Sequence, residues 1–156
     1  YIIFVAINPR SIDKESWLTT MRSTEGKEHR FQINNTGVKV RSDSANGGSD
    51  TASYETGEQI LQLSLDADFS EIRRNGVLVA GNSGSFTSKV LSGDFALSGR
   101  SSSNGHGGMD ADLAEYILVS GVPSEEDRHK IEGYLAHKWD LKSDLSSDHP
   151  YKHLAP

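Results

Sequence analysis

Leu61–Ala80 reads LQLSLDADFSEIRRNGVLVA. Leu61, Leu63 and Leu65 interleave with Gln62, Ser64 and Asp66, the period-two pattern of a strand with one apolar and one wet face. Ile72–Ala80 then folds about Asn75-Gly76, because both residues tolerate the positive φ that a two-residue hairpin turn needs to match the strand twist. Outward from this pair the pattern repeats. Phe31 and Ile33 alternate with Gln32 and Asn34, Asn35-Thr36-Gly37 turns the chain, and Val38 and Val40 alternate with Lys39 and Arg41, which predicts a second hairpin with one wet face. Tyr1–Asn8 (YIIFVAIN) is apolar throughout and suits a strand buried on both faces, closed by Pro9. Ser16–Met21, Phe95–Arg100 and Leu113–Ser120 supply further strands. Turn signals at this density predict an all-β antiparallel sandwich.

One segment departs from that pattern. Pro123-Ser124-Glu125-Glu126-Asp127 opens a C-terminal helix, with Ser124 as its cap, Asp127 as the reciprocal partner and an acidic first turn that suits the helix dipole. Ile131, Tyr134, Leu135 and Trp139 recur at helical spacing, which predicts an amphipathic helix with these four as its buried stripe. Gly133 costs about 1 kcal/mol in a helix interior and is expected where the helix backbone lies close against a sheet. Asp148-His149-Pro150-Tyr151 reads as a turn that tucks Tyr151 back onto the body.

The 156 residues amount to a single domain, spanning 1–156. Sixteen Lys and Arg against 22 Asp and Glu leave a net charge of −6, so no general positive field exists for nucleic acid or anionic lipid. The longest apolar run, Tyr1–Ile7, is far short of the roughly 20 residues a bilayer demands, and no membrane insertion is expected. Absence of cysteine removes disulfides, thiolate metal sites and cysteine nucleophiles together. A strand-like run beginning at Tyr1 is expected to belong to a longer polypeptide.

The segment Asp112–Val119, then Ser124-Glu125-Glu126, Ile131–Trp139 (IEGYLAHKW) and Asp148-His149-Pro150-Tyr151-Lys152, resembles the C-terminal signature of laminin G-like domains of the concanavalin A-like lectin and glucanase superfamily, of the bacterial surface-protein and phage virion type. The Asn75-Gly76 hairpin and the opening strand stand where that family has them. The resemblance implies a jelly-roll sandwich, and it implies that a first strand ahead of Tyr1 is missing or supplied by another segment. Asp140 stands where the family commonly has Gly, and Ser146 where Pro is frequent.

Site chemistry is sparser. Glycosidases of the superfamily carry paired acids on a bulged strand. Asp66-Ala67-Asp68-Phe69-Ser70-Glu71 is the nearest match, and it reads better as a solvated turn. Six histidines stand at 29, 106, 129, 137, 149 and 153 without nucleophile or zinc spacing, and His129 and His137 fall on the charged side of the helix. The resemblance implies calcium at a loop rim, where Ser101–Asp112 offers Asn104, Asp110 and Asp112, with Asp110 and Asp112 as the metal pair. A glycan wants an aromatic platform with planar polar partners. Trp17, Tyr54, Asn104, His106 and Asp110 are the candidates. Trp139 and Tyr134 are assigned to the helix core contact.

The expected function is a non-catalytic carbohydrate-recognition or adhesion module of a larger extracellular, cell-surface or virion-surface protein, with a glycan or cell-surface receptor and neighbouring domains or subunits as partners. A structural domain making subunit contacts in a virion or filament is the alternative. A glycoside hydrolase is the third reading.

Overall fold

Alternate residues of the opening strand, β1 (Ile2–Ser11), serve two separate cores. Ile3, Val5 and Ile7 point into the space between two sheets, while Ile2, Phe4 and Ala6 point the other way, under a helix. Sequence reading anticipates this double burial, and it makes β1 the organising element of the molecule. The computed structural model describes residues 1–11, 16–22, 28–34, 37–42, 49–83, 95–99 and 109–156.

The described strands that follow are β2 (Ser16–Arg22), β3 (Glu28–Asn34), β4 (Gly37–Ser42), β5 (Ser49–Ala52), β6 (Gln59–Leu65), β7 (Phe69–Arg74), β8 (Val77–Ser83), β9 (Phe95–Leu97) and β10 (Asp110–Val119). They form two antiparallel five-stranded sheets, ordered β10-β1-β6-β7-β8 and β5-β4-β3-β2-β9. The helix α1 (Glu125–Lys138) and a 3₁₀ turn (Lys142–Asp144) follow, so the all-β sandwich with one C-terminal helix stands.

The inter-sheet core joins Ile3, Val5, Leu61, Leu63 and Ile72 of the first sheet to Leu18, Phe31, Ile33, Val38 and Val40 of the second. Asn75 and Gly76 adopt φ of 51° and 83°, the left-handed pair expected of the β7–β8 turn.

Several expectations need correction. Pro9 does not end β1, which continues to Ser11; β6 pairs only with Ile2–Ile7, so Pro9 faces β10 alone, beside a register shift that accommodates its missing N–H. The wet face expected on β6 is dry, because α1 and the tail cover it: Gln62 and Ser64 are buried and bonded to each other at 2.8 Å. The β3–β4 hairpin is wet only in part, since Gln32 is buried while Arg41 is exposed. Strand β5 carries no apolar alternation and is not anticipated. Asn35, Thr36 and Arg100 lie outside the described residues.

Ser124 caps α1 as expected: its Oγ accepts from the Asp127 N–H at 3.1 Å. The stripe is displaced, however. Glu132, Gly133, Leu135 and Ala136 are the buried residues of α1, whereas Tyr134 and Trp139 are 40% and 38% exposed. Leu135 and Ala136 complete a second core with Ile2, Phe4, Ile60, Leu141 and Leu145. Gly133 is needed for the tail rather than the sheet, since a Cβ there would stand 2.5 Å from Cβ of Tyr151. Tyr151 is therefore tucked onto the body as predicted. Asp140, where the resemblance leads one to expect glycine, takes the left-handed cap at φ 57°, and the Leu141 N–H donates to Ala136 O at 2.8 Å to close α1.

Candidate functional site

Opposite β1, the partners of Ala6 and Ile7 are Glu115 and Leu113, so Ala114 is an extra residue in β10. Such a bulge re-aims the side chains around it, and here Glu115 meets the C-terminal half of α1. Tyr134 Oη donates to Glu115 Oε1 at 3.0 Å, Trp139 Nε1 donates to Oε2 at 2.9 Å, and Lys138 Nζ stands 3.1 Å from Oε2. Lys138 also lies 5.1 Å and 5.5 Å from the centroids of the Tyr134 and Trp139 rings. Desolvation pushes the Glu115 carboxyl up, but the bonds from Trp139, Lys138 and Tyr134 outweigh it and hold the group below the usual carboxylate range. Glu115 thus fixes an indole edge-on while leaving the ring half open.

The Trp139 ring walls a pocket of about 110 Å³ whose lining includes Asn8, Glu58, Asp112, Ala6 and Leu141. An aromatic wall, an apolar floor and planar carboxylate and amide groups are the ingredients a pyranose needs, because its C–H face packs on the ring while its hydroxyls bond at the edge. Next to the pocket, Arg10 bonds to Asp112 and stands 3.8 Å from Asp110. Calcium takes six to eight oxygen ligands. Among the described residues these two carboxylates share the Arg10 guanidinium, and Asn104 lies outside the described residues.

The predicted ligand residues separate. Trp17 is 1% exposed, with the Arg30 guanidinium 4.8 Å from its ring centroid, so it offers no open face to a sugar, whereas Trp139 is 38% exposed. Tyr54 lies half-buried against the inter-sheet core near Asp110, and its hydroxyl is pushed up by desolvation and by the Asp110 charge. Asp110 and Asp112 stand together at the start of β10. His106, like Asn104, falls outside the described residues. Asp66 and Asp68 occupy the β6–β7 turn, closed by the Asp66 N–H to Phe69 O at 2.9 Å, and Glu71 pairs with Arg73 at 3.3 Å. That is the solvated-turn reading.

Sequence reasoning missed the Glu115 hub and the Trp139 wall. The spacing of Tyr134, Lys138 and Trp139 was visible, but the bulge that brings Glu115 to them leaves no mark in the alternation.

No protein-family model and no curated protein sequence matches the chain. Among solved structures, the chain is similar to the CBM40 module of the Ruminococcus gnavus IT-sialidase, with a TM-score of 0.57 at 16% identity over 81% of this chain and 78% of that one. The same module bound to α2,3 sialyllactose matches at 15% identity with a TM-score of 0.57, over 81% and 78% of the two chains. Bound to α2,6 sialyllactose, it matches at 16% and 0.58, over 81% and 79%. At this identity the likeness establishes the fold alone, a two-sheet antiparallel β-sandwich.

Proposed function

We propose that the chain is a non-catalytic carbohydrate-recognition module of laminin G-like type, part of a larger extracellular protein, and that its sugar subsite is the pocket walled by Trp139. The observation that carries this reading is the half-open indole held edge-on by Glu115 over a pocket edged by Asn8, Glu58 and Asp112. At about 110 Å³ the pocket is smaller than the roughly 300–1,000 Å³ of enclosing ligand sites. It suits one ring laid against a wall, with the rest of a glycan in solvent. The sandwich likeness to modules that bind sialyllactose supports a glycan as ligand. The local charge argues for a neutral one, because Glu58 and Asp112 line the pocket and Arg10 offsets only part of the charge that they carry with Asp110. Calcium enters only as a competitor of Arg10 for Asp110 and Asp112.

A glycan array probed with the native chain and with Trp139→Ala tests the proposal. Neutral glycans retained by the native chain and lost by the variant support it. A second reading, a structural domain making subunit contacts, is favoured by β8, an edge strand whose Val77, Leu78 and Val79 are exposed. An array without a single ligand moves that reading ahead.

A further inference from the structure

Sequence spacing shows no zinc motif, yet folding gathers one. His129 and Glu132 stand three residues apart on α1, so they share a helix face. The tail returns His149 to that face, where its Nε2 lies 3.1 Å from Glu132 Oε2. One ligand atom from each of the three lies within 4.8 Å of the others. The side chains of Glu132 and His149 are 1% and 2% exposed, while His129 lies half-buried beside a pocket of about 320 Å³ that both histidines line.

We propose that His129, Glu132 and His149 form a divalent transition-metal site of zinc type, opening onto that pocket. Two imidazoles and a carboxylate, with no thiolate, are the donor set of zinc centres that keep a fourth position for water or a ligand. Ligand atoms around tetrahedral zinc stand about 3.3 Å apart, given bonds near 2.0–2.1 Å, so the three need only close inward. His129, the least buried, is the one with room to move.

Two interactions oppose the ion and define the test. Arg128 stands 3.0 Å from His129 Nε2 and 3.3 Å from Glu132 Oε1, so a resident cation already occupies this corner. It has somewhere to go, because the same Nη2 that faces His129 already lies 3.3 Å from Glu125 Oε1, which is largely exposed. His149 Nδ1 accepts the Tyr151 N–H at 3.2 Å, which leaves the proton on Nε2 facing Glu132. Metal binding at Nε2 expels that proton; Nδ1 takes one up, and the Tyr151 N–H gives up its acceptor.

The full chain, stripped with a chelator, is titrated calorimetrically with zinc alone, and with cobalt while visible absorption is followed. The expected result is one zinc per chain, a rise in melting temperature and a tetrahedral cobalt spectrum. His129→Ala should weaken zinc by about tenfold or more, since even outer partners of metal ligands contribute 10–100-fold, with its metal-free melting temperature nearly unchanged. Arg128→Met should bind zinc more tightly than the native chain. His149→Ala risks releasing the tail, so the two helix variants carry the decision. No zinc binding, or binding that His129→Ala leaves intact and that a His137→Ala/His153→Ala double variant removes, overturns the proposal.

Discussion

Trp139 donates its indole N–H to Glu115 Oε2 at 2.9 Å, across the line where the last turn of α1 meets β10. The bond explains why an indole at the helical spacing of a buried stripe stands instead at the rim, 38% exposed. Once its N–H needs a partner, the ring edge is tied to the carboxylate, Lys138 lies over the ring, and part of the indole stays exposed to solvent.

The fully buried Leu135 and the half-open Trp139 should therefore respond differently to truncation. Leu135→Ala is expected to cost about 2–5 kcal/mol, as for other buried leucines. Trp139→Ala should cost distinctly less, although the side chain is larger. Urea denaturation of both variants checks this; equal or reversed losses would return Trp139 to the core.

Gly133→Ala sets two effects against each other. Alanine favours the helix by about 1 kcal/mol, but its Cβ would stand 2.5 Å from that of Tyr151. The clash should win, and the variant should be less stable than the native chain. In a chain ending at Leu145 the clash is absent, and the same change should stabilise. Thermal melts of the four proteins test the sign in each background.

Acid should weaken the helix rim through Glu115. Its carboxyl is held below the usual range despite desolvation, by bonds from Trp139, Lys138 and Tyr134. A group depressed on folding adds stability above its unfolded pKa and loses it as pH falls through the folded value. The advantage of the native chain over Glu115→Gln should thus be full above about pH 5 and shrink below the ordinary carboxylate pKa near 4.3. Melting curves from neutral pH to pH 3 would show the gap closing; a constant gap contradicts the assignment.

The cap at Ser124 is the cleanest local test. Ser124→Ala removes the acceptor of the Asp127 N–H and should cost about 1 kcal/mol. Ser124→Asp should restore most of it, as followed by circular dichroism of the thermal transition.

Where a pattern depends on neighbours in sequence, it was legible. The Asn75-Gly76 turn, the Ser124 cap and the double burial of β1 all rest on local chemistry or on an unbroken apolar run. The errors share another origin, because each residue's surroundings come from a distant segment. Gln62 and Ser64 alternate like a wet face and are dry because α1 lies over them. Gly133 marks a close approach, but of Tyr151 from the tail. Trp17 looked like an open platform and is closed over by Arg30. At the candidate site, Asp112 was readable as a loop-edge acid, while Asn8 joins it through β1–β10 pairing, Glu58 through the start of β6 beside β1, and Trp139 through the return of the α1 end to Glu115.

The most direct measurement is a nuclear magnetic resonance titration with a neutral glycan drawn from the array, following the two indole N–H resonances of Trp17 and Trp139. The expected result is a saturable shift of the Trp139 signal, abolished by Asp112→Ala, with the buried Trp17 signal unmoved and a sialylated counterpart binding more weakly. A shift confined to Trp17, or a glycan that binds without moving Trp139, would contradict it.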